Sequence, residues 1–255
     1  MPLELVTIPC LSDNYAFLLH STETGETAVI DVPDAAPILK ELTRRGWQLT
    51  EIWITHHHSD HVDGVADLKD ATGAKVIGAR ADAHRLPPLN HALEDGETYV
   101  FSGHDVNIMD VSGHTVGHIA FHVPHANVVF TADSLMAMGC GRLFEGTPEQ
   151  MWASLSKLAK LPPETMVCSG HEYTASNVKF AATIETGNTR LVQRATEVAT
   201  CRAAGKPTVP STLEEELATN PFLRAHLPNV KADVGMPDAS DAAVFGEIRR
   251  RKDEF

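Results

Sequence analysis

The chain contains no apolar run approaching the roughly 20 residues that a membrane-spanning helix needs, so no transmembrane segment is expected. Its first residues, Met-Pro-Leu-Glu-Leu-Val, lack a basic stretch leading into an apolar one and do not read as a secretory leader. Cysteine is scarce. Cys10, Cys140, Cys168 and Cys201 lie far apart and form no C-x-x-C pair, a usage that suits a reducing, cytoplasmic setting and argues against a disulfide framework. Buried, inert thiols are the default expectation for all four. No repeat of fixed period is visible, which removes solenoids and propellers. Positive charge is in deficit, with 21 Lys and Arg against 34 Asp and Glu and a formal net charge of −13. That balance argues against general nucleic-acid binding, which needs a cationic surplus to neutralise phosphates. There is also no G-x-S-x-G, the turn that exposes a serine nucleophile in α/β-hydrolases.

What is present suits a globular protein. The 255 residues, 43% apolar, can form one large domain or a medium one with an appendage. Short apolar or β-branched runs bounded by polar turns predict strands at Leu3–Ile8, Tyr15–Leu19, Thr27–Asp31, Leu49–Thr55, Val106–Val111, Ile119–Val123, Val128–Thr131 and Met166–Cys168. Between them, Asp34 can cap a helix that runs to Arg45 and stops at Gly46. Thr147-Pro148-Glu149-Gln150 is a capping box with proline at the first helical position, and Pro162-Pro163 end the helix it opens. Beyond Gly170 only helical patterns remain, at about 174–186, 189–204, 211–218 and 239–252. The reading is a mixed α/β domain over 1–171 and a helical one over 172–255. Charge follows the same division: the first part holds 10 basic and 22 acidic groups, the second 11 and 12. A basic run, Arg249-Arg250-Arg251-Lys252, ends the chain either as a solvated helix terminus or as a patch for an anionic ligand.

The strongest chemical signal is Thr55-His56-His57-His58-Ser59-Asp60-His61, directly after the apolar run Glu51–Ile54. H-x-H-x-D-H at the end of a strand presents imidazoles and a carboxylate together, a donor set suited to zinc, iron or manganese. Further candidate ligands follow other predicted strands: His114 after Val106–Val111, Asp133 after Val128–Thr131, and His171 after Met166–Cys168. A lone histidine in such a place is usually a structural hydrogen bonder. Strand ends, however, gather distant residues into one crevice, and four such positions share that location.

With these residues in view, the chain resembles the metallo-β-lactamase superfamily, and within it the hydroxyacylglutathione hydrolase (glyoxalase II) family. The likeness runs over nearly the whole chain, from Ser12-Asp13-Asn14-Tyr15 through Gly139–Thr147 and Gly170-His171-Glu172-Tyr173-Thr174 to Arg249–Asp253. It implies an αββα sandwich followed by a helical domain. It implies two divalent metal ions, zinc foremost with iron or manganese also suited, sharing a bridging hydroxide. His56, His58 and His114 would hold one ion and Asp60, His61 and His171 the other, with Asp133 bridging them. Asp60 and Asp133 are the catalytic candidates. By the same resemblance His57 is not a ligand; His118, His122 and His125 are read as structural or as supports behind the ligands.

The implied substrate is a glutathione thioester, S-D-lactoylglutathione or a related 2-hydroxyacyl compound. Its leaving thiolate, from a thiol of pKa near 8.5, departs without a dedicated acid. Arg142, Arg249 and Lys252 would meet a glutathione carboxylate and Tyr173 would donate to the peptide. Phe144 stands where many relatives carry tyrosine, and Asp63 where glycine is frequent. No nucleic-acid or membrane partner is expected, and a monomer is favoured. Two rivals remain. A glutathione persulfide dioxygenase of the same superfamily shares a G-C-G-R segment, but Leu143–Thr147 and the helical tail count against it; oxygen uptake separates the two. A non-catalytic metal- or glutathione-binding scaffold predicts bound metal without turnover, yet no ligand position is degraded.

Overall fold

A computed structural model describes residues 2–255. The chain folds as two compact units, one formed by the residues through Asp110 with Gly117–Ala132, the other by Val111–Val116 with Asp133–Phe255.

The first unit opens with an antiparallel meander, β1 (Leu3–Cys10), β2 (Asn14–Ser21) and β3 (Thr27–Ile30), in which Leu5 lies opposite Leu19 and Val29 opposite Leu18. Helix α1 (Ala35–Arg45) follows as expected. Asp34 accepts from the Ala36 amide, and Gly46 ends the helix in the left-handed conformation that glycine adopts without a Cβ clash. Then come β4 (Glu51–Trp53), the short α2 (Ser59–Val62), α3 (Val65–Thr72), β5 (Lys75–Ala79) and β6 (His91–Leu93). Strands β3 to β6 pair in parallel, in the order β1-β2-β3-β4-β5-β6. The unit continues with β7 (Thr98–Phe101), β8 (His104–Asp110), β9 (Ile119–Val123) and β10 (Val128–Ala132), joined as antiparallel neighbours.

These two layers face each other through aromatic rings. Trp53 of β4 is fully buried, stacked on Phe121 of β9 at 5.1 Å and edge-on to Phe101 of β7 at 5.3 Å. Phe17 of β2 meets Phe130 of β10 at 5.8 Å. Helix α1 turns Ile38 and Leu42 inward and packs against β1 and α3. Every residue of β3, β9 and β10 is buried, which accounts for their reading as continuous apolar runs rather than alternating ones.

The second unit holds the small ribbon β11 (Leu135–Met136) and β12 (Gly139–Cys140), then α4 (Pro148–Leu158), β13 (Met166–Ser169), α5 (Thr174–Ile184), α6 (Thr189–Ala203), β14 (Ser211–Thr212), α7 (Leu213–Thr219), α8 (Pro228–Asp233) and α9 (Asp241–Glu254). The capping box of α4 forms in both directions: Thr147 accepts from the Gln150 amide, and the Gln150 side chain accepts from the Thr147 amide. Where one helix was expected from 211, Ser211 and Thr212 instead pair with β13, and Thr212 caps α7. Phe180, Phe222 and Phe245 form the aromatic centre of this unit. Fully buried Glu216 knits its segments together, accepting from Arg194, the Ser211 hydroxyl, the Met138 amide and the Asn220 side chain. No helix of the described residues is long and apolar enough to cross a membrane, and no disulfide forms among them.

Candidate active site

The ligand motif of the first unit begins two residues beyond β4 and runs into α2. His56 Nε2 and His58 Nδ1 face each other at 3.2 Å. One tetrahedral cation with bonds of 2.0–2.1 Å holds its donors about 3.3 Å apart, so this pair has the spacing of shared coordination. Asp60 Oδ2 lies 3.7 Å from His61 Nε2. Asn14, from the Ser12–Tyr15 segment, donates to both the backbone and the side-chain oxygen of Asp60, at 3.1 and 3.0 Å.

The histidines are aimed by buried Asp31, directly after β3. Its carboxylate accepts from His61 Nδ1 at 2.8 Å, from the Thr55 amide at 2.9 Å and from the Thr55 hydroxyl at 2.8 Å. With its proton committed to Asp31, the Thr55 oxygen accepts from His56 Nδ1 at 3.0 Å. Both imidazoles are thus fixed in the tautomer that offers Nε2 as a lone pair, and for His61 the carboxylate partner also raises ligand basicity. His57 differs: its Nδ1 donates to Asp82 at 3.0 Å while its Nε2 accepts from Arg85 at 3.3 Å, so both ring nitrogens have protein partners. His118 stacks on His56 at 4.5 Å, and His125 on His104 at 4.2 Å. His122 is buried, which pushes its pKa down and favours the neutral ring.

The second unit carries His114, Asp133 and His171. A single oxygen, Asp133 Oδ2, lies 3.5 Å from His114 Nε2 and 3.4 Å from His171 Nε2. His114 Nδ1 donates to the Arg142 carbonyl at 2.7 Å, again turning Nε2 into the acceptor. The His171 ring stacks on Tyr173 at 4.7 Å and 5°. Gly141 makes this packing possible, because a Cβ there would stand 2.0 Å from the Asp133 carbonyl oxygen and 2.7 Å from His114 Nδ1.

The expected substrate-binding residues also lie in this unit, but in unequal settings. Arg142 and Phe144 are exposed, at 57% and 61%, with the guanidinium 5.9 Å above the ring. Tyr173 is exposed as well. Lys252 is partly buried, its ammonium 5.3 Å from the rings of both Phe180 and Phe255. Burial, reinforced by the charge of Arg249, holds its pKa below the ordinary lysine value. Arg249 is only 7% exposed; it donates through Nη1 to the Cys140 carbonyl and through Nη2 to Asp253, both at 2.9 Å, and lies 5.2 Å over Phe222. The roles of Asp31, Thr55 and Asp253 escaped the reading of the sequence. Asp31 alone carried a signal, since it shares the strand-end location of the other candidates.

The donors present, imidazole nitrogens and carboxylate oxygens at coordination spacing with no thiolate among them, fit a borderline or hard divalent cation. Comparison with known proteins agrees. Residues 13–171 match the family profile of the metallo-beta-lactamase superfamily, and residues 172–255 match that of the hydroxyacylglutathione hydrolase C-terminus. The chain is 63% identical to a hydroxyacylglutathione hydrolase of Cereibacter sphaeroides and 64% identical to one of Roseobacter denitrificans, in both cases over the full length of both proteins. The crystal structure of ETHE1 from Myxococcus xanthus shares the fold, with a TM-score of 0.68 at 22% identity, covering 98% of this chain and 90% of that one. Similarity spanning both segments and every residue decides the assignment: the chain belongs to the hydroxyacylglutathione hydrolase family, a metallo-β-lactamase fold with a C-terminal helical domain.

Proposed function

We propose that this protein is a metal-dependent thioesterase that hydrolyses S-(2-hydroxyacyl)glutathione, with S-D-lactoylglutathione as its substrate, to glutathione and a 2-hydroxy acid. The observation that carries the reading is the position of Asp133 Oδ2, nearly equidistant from two imidazole nitrogens. One oxygen so placed can serve two cations at once. As the resemblance implies, His56, His58 and His114 would hold the first ion, Asp60, His61 and His171 the second, and Asp133 would serve both; zinc is the proposed metal. Bound divalent ions supply a water of lowered pKa and positive charge for the oxyanion that forms at the thioester carbon.

The chain's own groups do the rest. Asp60, held by Asn14 at Oδ2, orients the attacking water by accepting its hydrogen bond. Asp31 keeps the His61 proton on Nδ1 and, through Thr55, the His56 proton on Nδ1. The departing sulfur leaves as a thiolate and is protonated by solvent. At the far end of the substrate, the Arg142 guanidinium pairs with a glutathione carboxylate, Lys252 adds charge, and the Tyr173 hydroxyl donates to the peptide. The working division is a metal domain over 1–171 and a substrate domain over 172–255, in a cytoplasmic monomer.

The rival dioxygenase reading loses ground on the C-terminal segment, whose profile is that of the hydrolase. The test is hydrolysis of S-D-lactoylglutathione by metal-analysed protein, with and without chelator. Turnover that disappears on chelation and returns with zinc is expected. Protein holding two metals per chain and failing to cleave the thioester overturns the reading.

A further inference from the structure

His57 stands between the two histidines of the first ion, and its side chain is committed elsewhere. It turns to Asp82, a fully buried acid in the short 3-10 turn Arg80–Asp82 that follows β5. Asp82 Oδ2 accepts from His57 Nδ1 at 3.0 Å, and its Oδ1 accepts from Arg85 Nε. Arg85 Nη1 donates in turn to His57 Nε2 at 3.3 Å, so the three side chains close a ring. The acid is itself fixed, because its carbonyl accepts from the Arg85 and Leu86 amides. Gly117 lets it approach: φ there is +88°, and a Cβ would stand 2.9 Å from Asp82 Cβ.

The two histidines beside His57 face each other through unlike nitrogens, His56 Nε2 and His58 Nδ1. Nε2 lies at the far end of its ring. Nδ1 is bonded to the ring carbon that carries Cβ, so its reach is short and side-chain rotation corrects little. A shift of the His58 backbone therefore displaces that donor almost in full. The other motif histidines have anchors of their own: His56 is aimed by Thr55, and His61 by Asp31.

We propose that Asp82 is a positioning residue of the metal centre: by clamping His57 together with Arg85, it fixes the backbone that carries His58 and so holds the first ion. The proposal rests on the functional reading above and deepens it. Asp82 touches neither metal nor substrate and acts through His57. Its influence falls on the first ion rather than the second, whose ligand His61 is held by Asp31.

The experiment compares full-length wild-type protein with Asp82→Asn, His57→Ala and the double variant, each titrated with a competing chelator after loading with zinc. Cobalt(II) in place of zinc marks each ion by its visible absorption, with His58→Ala and His171→Ala as references for a centre lacking the first or the second. An asparagine has one acceptor oxygen for two donors, His57 and Arg85, so the clamp opens. Asp82→Asn is expected to weaken the first ion about 10–100-fold and the second less than about threefold. His57→Ala, which spares the Asp82–Arg85 pair, should reproduce that selective loss, and the double variant should be no worse than the weaker single one. If Asp82→Asn does not fold, the selectivity of His57→Ala decides alone. Equal weakening of both ions overturns the proposal by marking the clamp as merely structural. Wild-type affinity for the first ion, or losses that add in the double variant, overturn it as well. Wild-type protein that fails to take up two ions sinks the functional reading instead, and this proposal with it.

Discussion

His61 donates its Nδ1 proton to the carboxylate of Asp31 across 2.8 Å, with both side chains buried. The same carboxylate holds the Thr55 hydroxyl whose oxygen faces His56. One acid, itself no ligand in the proposed centre, therefore sets the tautomer of two imidazoles.

Asp31→Asn tests that control. An amide has one oxygen for three donors and turns its own N–H groups toward Thr55 and His61. Metal affinity is expected to fall by about 10–100-fold, as for other partners of metal-bound histidines, with most of the fold retained. Competitive chelator titration followed by metal analysis measures it. Wild-type affinity in this variant would show that the hydrogen bond orients nothing.

Asp133→Ala should remove turnover and loosen both metal ions, because the deleted oxygen faces both His114 and His171. The readout is metal stoichiometry after dialysis alongside thioester hydrolysis. Full activity with two tightly held ions would refute the bridging role.

Gly141→Ala pits a single methyl group against backbone. The new Cβ would stand 2.0 Å from the Asp133 carbonyl oxygen, so the loop must move, and His114 and Asp133 with it. Overpacking in a rigid core typically costs about 1–3 kcal/mol, and backbone is the least yielding neighbour. A fall in Tm together with lost metal is expected from calorimetry and metal analysis. A variant that melts like the wild type would mean that the loop is more pliable than its packing implies.

Lys252 gives a pH signature. Burial and the charge of Arg249 lower its pKa, while Asp253 pulls the other way. Only the protonated form attracts a carboxylate, so KM should rise as pH increases through the lowered pKa, below the usual lysine value of about 10.4. Because the folded pKa lies below the unfolded one, the same group also makes stability rise with pH across that window. Lys252→Arg keeps its charge throughout and should flatten the alkaline rise in KM. Identical KM–pH curves for the two enzymes would remove Lys252 from substrate binding.

Much of this protein was legible without a structure, wherever the determinant is local. Asp34 and Gly46 bracket α1, and Thr147 with Gln150 starts α4, because caps are interactions between residues two to four apart. The strand-end positions of the histidines and Asp133 were legible for the same reason: an apolar run followed by a polar donor is a pattern of neighbours. By contrast, β5, β6 and β7 escaped notice. Lys75–Ala79 and His91–Leu93 are short, and they become strands through parallel pairing across intervening crossover segments, which no pattern of immediate neighbours reveals.

The amino-acid sequence by itself determined which side chains can bind metal or a carboxylate, and on which elements they sit. Tertiary structure alone decided which partners hold each one and how deeply it is buried. His61 and Asp31 are 30 residues apart and Arg142 and Asp253 are 111 apart, so no periodicity or spacing connects them. It also separated Arg249 from Arg142, two identical guanidinium groups of which one is buried and committed to a backbone carbonyl while the other faces solvent. Burial and hydrogen-bond partnership depend on distances between segments, and linear order does not encode those distances.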